Sequence, residues 1–454
     1  LLKRIPTITW PVLAAAVTMA AGVALRLRTA HYDGPLEQGE FNGYIFGQLG
    51  AYSDITSLYI RDRLWNDPVP YFGYPLEYPI GIGLLSWGLT ALTHGMMAYF
   101  FATAAVLFVA GLLVVWLGRY FEGANLWLLA LSPSLALYVV LNWDLLGILP
   151  MVGALVLLRR NRDGWAALLL AGAVWMKLFP IVILPIALLD RLLKRRWRDA
   201  ALIAGVFGLA SAAINAPFAL RLTPDGPRLR DTWLYFFHFN EERAREMNLW
   251  NLLDRFGQRF STAEINTYSM VLLVAGCAAT LLLVWHASRG EAGPGRDTIL
   301  VGGLVLLSWW MFINKVYSCQ YSLWILVLAV LARVPASLLI AFIATDLWYY
   351  LARFTEYFLG WSLGADGAVW VNHEILWLAT AAREIAILAV IGWAGWQLVL
   401  WGRGAPAPWP LRLPSAPSPG RWATARQGLT LQRQAVPVAA RDDERPFAQD
   451  GPRR

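Results

Sequence analysis

The chain is short of charge. Only 15% of its 454 residues are Asp, Glu, Lys or Arg, against about 25% in an ordinary soluble domain. So little charge would leave far too much apolar surface facing water, which excludes a soluble globular protein. Cysteine is nearly absent. Cys277 and Cys319 define neither a disulfide framework nor a metal site, and Cys277 lies inside an apolar run as a small core residue. There is no glycine-rich loop to cradle a nucleotide's phosphates. Nor is there a repeat marking the inverted halves of a transporter.

What is present is hydrophobicity in long runs, such as Tyr268 to Ala287 and Ile385 to Trp401. A membrane span needs roughly 20 mostly apolar residues. Hydropathy places spans near 10–26, 97–118, 125–141, 143–158, 164–177, 178–191, 199–218, 268–287, 298–314, 320–332, 336–352 and 385–401. The expected class is therefore an all-α polytopic membrane protein with about twelve transmembrane helices. The first run follows Lys3 and Arg4 and lacks a small-residue cleavage site, so it reads as a retained span.

The net charge of +8 does not point to nucleic acid, because many basic residues sit in short loops between spans. Arg159-Arg160-Asn161-Arg162, the stretch Arg191 to Arg198, Arg289, Arg296 and Arg333 all fall on one side if both termini are cytoplasmic, as the positive-inside rule requires. That parity forbids a full crossing by the apolar run Ile80 to Leu92, which is expected to be re-entrant or interfacial. Long outer stretches then follow the first span (27–79) and the seventh (219–267), the first two carrying amphipathic helices, and a third covers 353–384. Residues 1–402 form the transmembrane domain. The Pro- and Arg-rich tail, 403–454, is expected to be disordered and cytoplasmic.

Ionisable residues within a bilayer are costly and are functional candidates by default. Asp144 in Asn142-Trp143-Asp144, Lys177 in Lys177 to Pro180, and Lys315 in Asn314 to Tyr321 all fall at outer ends of spans. They share a face with the first outer stretch, which holds Tyr52-Ser53-Asp54, Leu58-Tyr59 and Glu77-Tyr78-Pro79. A carboxylate there, beside an apolar entry from the lipid, suits a general base acting on an acceptor hydroxyl. The donor would be a sugar on a lipid phosphate, and cations would stabilise the charge growing on the leaving phosphate. Lys177, Lys315, Arg243 and Arg245 are the available cations. Neither a nucleotide nor a metal cofactor is needed, since the leaving group is a single phosphate. Plainer readings stand beside these: Asp54 as a solvated loop residue, Asp144 as a helix cap, Lys177 and Lys315 as snorkelling side chains, Glu77 as a partner for a loop arginine, and His238 as a surface or packing residue. The 24 tryptophans are mostly interfacial and packing residues.

These stretches together resemble the GT-C superfamily of lipid-phosphate-dependent glycosyltransferases, and most of all glycosyltransferase family 87, the bacterial polyprenyl-phosphate-mannose transferases. They are scattered over residues 27–325, and Cys319 stands where the family pattern commonly has proline. The resemblance implies seven core spans, with long outer loops after the first and seventh. It implies inverting transfer of a sugar, most readily mannose, from a polyprenyl-phosphate donor to an extracytoplasmic glycolipid or glycan. In the family the catalytic aspartate lies in the first outer loop, where Asp54 stands. Asp54 is then the general base, and Lys177 and Lys315, with Arg243 or Arg245, hold the phosphate. Glu77, Asp144, Asn248, Gln320, Tyr321 and His238 orient sugar or acceptor. The setting would be the bacterial cell membrane, with the active site on its outer face. An arabinofuranose donor is the close alternative. A transporter or flippase and a non-catalytic scaffold are the alternatives from other classes.

Overall fold

The computed structural model describes residues 8–405 except 73, 221–231, 291–295 and 363–365, with side chains left undescribed over 362–371. Nearly all of the predicted tail lies outside the described residues. Among the described residues all regular structure is helical, apart from two isolated bridges, Pro70 with Tyr74 and Glu246 with Val316. The order is α1 (Thr9–Ala30), α2 (Gln38–Phe46), α3 (Asp54–Arg61), α4 (Ile80–Leu92), α5 (Gly95–Leu117), α6 (Leu126–Ala130), α7 (Pro133–Tyr138), α8 (Leu145–Arg159) and α9 (Asp163–Met176). It continues with α10 (Ile183–Leu193), α11 (Trp197–Ala219), α12 (Tyr235–Glu242), α13 (Leu249–Arg255), α14 (Thr262–Ala287), α15 (Thr298–Ile313), α16 (Tyr321–Leu331), α17 (Ala336–Ser362) and α18 (Asp366–Gly402).

Among the described residues six stretches are long and apolar enough to cross a bilayer: Thr9–Ala30, Gly95–Tyr120, Trp197–Ala219, Thr262–Ala287, Ala336–Trp361 and Asn372–Gly402. Shorter apolar helices, α4, α8, α9, α15 and α16, pack among them. The chain is a multi-pass membrane protein. α16 lies at its core, with every residue from Ser322 to Leu331 buried. α11 and α14 instead keep most of their apolar side chains on the outside, as helices against lipid do.

Three expectations change. The expected span 125–141 is the broken pair α6 and α7, because Pro133 cannot continue a helix; Ser132 caps the second piece, accepting from the Ser134 amide at 3.2 Å. The expected span 178–191 begins as a single 3-10 turn, Phe179–Val182, before α10. The third outer stretch, 353–384, is helical over its described residues. α17 and α18 run on into it, because its charges are satisfied in place: Arg353 pairs with Glu356 at 2.8 Å, His373 with Glu356 at 2.6 Å, and Arg383 with Glu384 at 2.7 Å. Arg383 is fully buried, donates to the Met247 carbonyl at 3.0 Å, and stands 3.7 Å from the Tyr317 ring centroid and 3.9 Å from that of Tyr349.

The basic loops gather at one end of the helices. Arg191 donates to Asp163 at 2.7 Å and to Asp190 at 2.6 Å, and Arg196 reaches Asp163 at 3.0 Å. These pairs bind the turns α8–α9 and α10–α11, and Arg159 links them to Asp297 before α15 at 3.4 Å. α8, α10 and α16 each end on this side with a left-handed residue, Asn161, Arg195 and Arg333. The closing bonds are Arg162 N to Leu157 O at 2.9 Å, Arg196 N to Arg191 O at 2.8 Å and Val334 N to Ala329 O at 3.0 Å, the pattern that satisfies terminal carbonyls. The opposite ends of α8, α9, α15 and α16 meet at a cavity.

Candidate active site

A cavity of about 540 Å³ opens among the first outer segment, the α7–α8 and α9–α10 connections, the α15–α16 connection, α12 and α17. It holds Asp54, Glu77, Asn142, Lys177, Arg243, Gln320 and Tyr321.

Asp54 is the first residue of α3. Ser53 precedes it in extended conformation and caps the helix, accepting from the Ile55 amide at 3.3 Å. The Ser53 hydroxyl donates to Val140 O at 2.6 Å, and the Asp54 amide donates to Leu141 O at 2.8 Å. The start of α3 is thus stitched to the chain entering α8, and the carboxylate lies in a first turn, where the helix dipole favours negative charge. Tyr52 donates its hydroxyl to Asp54 Oδ1 at 2.5 Å, and Asn142 Nδ2 donates to Oδ2 at 2.5 Å. Burial pushes the Tyr52 hydroxyl well above its ordinary range, and Asp54 adds to the shift, so Tyr52 remains a donor.

Lys177 ends α9. Its ammonium donates to Asn142 Oδ1 at 2.7 Å, lies 3.1 Å from Asp144 Oδ1 and stands 4.5 Å from the Tyr78 ring centroid. Its stem passes so close to Gly147 that a Cβ there would lie 2.9 Å from Lys177 Cβ. Tyr78 receives a second donation from Asn142, at 2.8 Å. The Tyr71 hydroxyl fixes that segment by donating to the carbonyls of Tyr78 and Pro79, at 2.8 and 2.9 Å. Glu77 pairs with Arg61 at 2.8 Å. Burial raises its carboxyl above the ordinary range, against the pull of Arg61. Arg243 pairs with Glu246 at 2.5 Å.

Other expected site residues stand elsewhere. Lys315 does not line the cavity; it is buried and donates to the Glu241 carbonyl at 2.7 Å. Burial pushes its ammonium down, and Arg243 works in the same direction against Glu241. Asn248 is spent on backbone, capping α13 and donating to the Asn314 carbonyl at 2.9 Å. Arg245 pairs with Asp254 at 2.8 Å, and His238 lies 3.6 Å from Glu241. Asp144 is fully buried behind Lys177. Tyr52, Tyr78 and Asn142 lie inside the motif stretches, but their roles emerge only from these contacts. Arg61, Glu246 and Arg353 also line the cavity and were not anticipated. No group of three His, Cys, Asp or Glu side chains among the described residues could hold a metal ion.

The model of the family described as Glycosyltransferase family 87 matches residues 76–312. The chain belongs to glycosyltransferase family 87. Membership makes it a membrane glycosyltransferase, and the match spans Glu77, Asn142, Lys177 and Arg243 but begins after Asp54. No curated protein matches the family 87 chain. A solved structure similar to it is that of ArnT from Cupriavidus metallidurans bound to undecaprenyl phosphate. The two are 15% identical, over 88% of this chain and 78% of that one, with a TM-score of 0.40.

Proposed function

We propose that the protein transfers a sugar, mannose in the first instance, from a polyprenyl-phosphate donor to a glycolipid or glycan acceptor on the outer side of the bacterial cell membrane. The observation that carries this reading is the doubly held carboxylate of Asp54 in a cavity that also contains Lys177 and Arg243. Asp54 takes the proton of the acceptor hydroxyl as that oxygen attacks the anomeric carbon. The bond from that carbon to the phosphate oxygen breaks on the opposite face, and the configuration inverts. The lipid phosphate leaves with the bonding pair. Arg243, drawn from Glu246, and Lys177, through its donors, meet the charge that grows there, where preorganised cations count most. Glu77, Gln320 and Tyr321, on the cavity wall, orient the sugar or acceptor. The apolar wall of Phe236, Phe237, Trp310 and Met311 suits the first units of the prenyl chain. That the cavity lies at the end opposite the basic loops supports an outer-face site under positive-inside orientation.

The test is transfer by purified protein in lipid. Labelled polyprenyl-phosphate-mannose and polyprenyl-phosphate-arabinose are offered with native glycolipids, and Asp54→Asn is run beside wild type. Product from the mannose donor alone, lost in Asp54→Asn, is expected. Product from the arabinose donor alone would replace the sugar, and an active Asp54→Asn would remove the base.

A further inference from the structure

The base has a support that the transfer step itself does not call on. Arg26, in α1, is fully buried, and its Nη1 meets no hydrogen-bond partner. A buried guanidinium in a membrane protein is costly. An apolar residue of similar volume would often serve packing as well or better, so packing alone is a poor account of it. Its contacts point one way. Nε donates to the carbonyl of Tyr52 at 2.9 Å, and Nη2 donates to the hydroxyl of Tyr350, on α17, at 2.9 Å. Tyr52 is the residue whose hydroxyl holds Asp54 Oδ1. Its chain neighbours are anchored elsewhere: Ala51 N to Gln48 O at 3.0 Å, Ser53 to Val140 and Asp54 to Leu141. The Tyr52 carbonyl is fixed by Arg26.

We propose that Arg26 is a positioning residue that, by clamping the Tyr52 carbonyl against α1 and α17, sets the reach of the Tyr52 hydroxyl and so the orientation of the Asp54 carboxylate. This rests on the reading of Asp54 as base. Tyr52 and Asn142 each hold one carboxylate oxygen, which fixes both its plane and its direction. With one holder displaced the carboxylate turns, and a misplacement of about 1 Å in reacting geometry costs on the order of 100-fold in rate.

The experiment measures kcat and donor KM for wild type, Asp54→Asn, Arg26→Gln, Arg26→Lys, Tyr52→Phe and the double variant Arg26→Gln with Tyr52→Phe. Arg26→Gln is expected to lower kcat roughly 10- to 100-fold with donor KM within about twofold. Arg26→Lys, which keeps a charged donor, retains more activity. The double variant should fall within about threefold of Tyr52→Phe, because both changes act through one hydroxyl. A merely structural arginine would give losses that multiply. Multiplying losses, or a wild-type kcat in Arg26→Gln, would overturn the assignment. Should Arg26→Gln not fold, Tyr350→Phe removes one of the two partners instead: kcat falls in the Tyr52 background and not in Tyr52→Phe, and an equal fall in both refutes the role. Full transfer by Asp54→Asn would strike at the base itself. Loss there with a wild-type kcat in Arg26→Gln strikes at the positioning role alone.

Discussion

Asn142 gives Asp54 its second hydrogen bond, Nδ2 to Oδ2 at 2.5 Å, while the other end of the same amide accepts from Lys177 at 2.7 Å. Lys177 is therefore linked to Asp54 through a neutral side chain, with its ammonium 3.1 Å from Asp144. Replacing the amide by a carboxylate removes the donor and brings a third negative group into the cluster. Asn142→Asp is expected to lower kcat by more than roughly 100-fold, and Asn142→Ala by about 10- to 100-fold, since hydrogen bonds to charged groups are worth about 1.5–3 kcal/mol. Single-turnover rates at saturating donor decide it. A near-wild-type rate in Asn142→Ala takes Asn142 out of the machinery.

Arg243 and Lys315 stand on adjoining segments but face different surroundings. Arg243 lines the cavity, whereas Lys315 is tied to the Glu241 carbonyl. Arg243→Ala should raise the donor KM by about tenfold or more, the scale of one charge-assisted hydrogen bond. Lys315→Met should lower thermal stability and leave donor KM within about twofold. Titrating the donor against both variants in the same lipid separates them. The opposite ranking would return the phosphate to Lys315.

Glu77 gives a pH signature. Its carboxyl titrates above the ordinary glutamate value because it is buried. Between the unfolded and folded values the native state therefore binds more protons than the unfolded chain, so this group's contribution to stability falls as pH rises through that window. Thermal melts of wild type should lose stability from about pH 4.5 upward relative to Glu77→Gln. Parallel curves for the two would show that Glu77 does not carry the shift.

Gly22 lies where α1 packs tightly against α7. A Cβ added there would lie 1.9 Å from the Ala136 carbonyl oxygen, so even alanine must push the helices apart. Gly22→Ala is expected to cost about 1–3 kcal/mol, read as a fall in the melting temperature of the purified protein. An unchanged melt would mean that α1 shifts freely.

The membrane class was legible because long apolar runs admit one solvent; of the twelve expected spans, six fall on described helices long and apolar enough to cross. Residues 353–384 misled because Arg353, Glu356, His373, Arg383 and Glu384 lower the local hydropathy. Arg353 with Glu356 and Arg383 with Glu384 pair locally, and His373 with Glu356 joins α17 to α18; hydropathy registers none of these pairs. The site divides in the same way. The motif stretches around Asp54, Glu77, Asn142 and Lys177 mark where the chain meets the cavity. They do not tell which way a side chain points, so Lys315, Arg245 and Asn248 read as ligand-facing although each is occupied by protein. Arg353 stayed hidden because it was assigned to a loop that is helix.

α9 has 14 residues, about 21 Å at 1.5 Å per residue, and carries Asp163 of the basic end at its start and Lys177 at its finish. The hydrocarbon core of a bilayer is about 30 Å thick. With the basic end held at one interface, Lys177 and the cavity floor lie several ångströms below the other. α4, with 13 residues, packs against α9, and as a segment expected not to cross, it sets no thickness of its own. A bilayer that meets α9 by thinning forms a dimple along the wall of the cavity, a hydrophobic mismatch. A lipid phosphate in that dimple stands lower than its neighbours and nearer to Lys177. Transfer should then run faster in short-chain bilayers, where the descent is already made, than in thick ones.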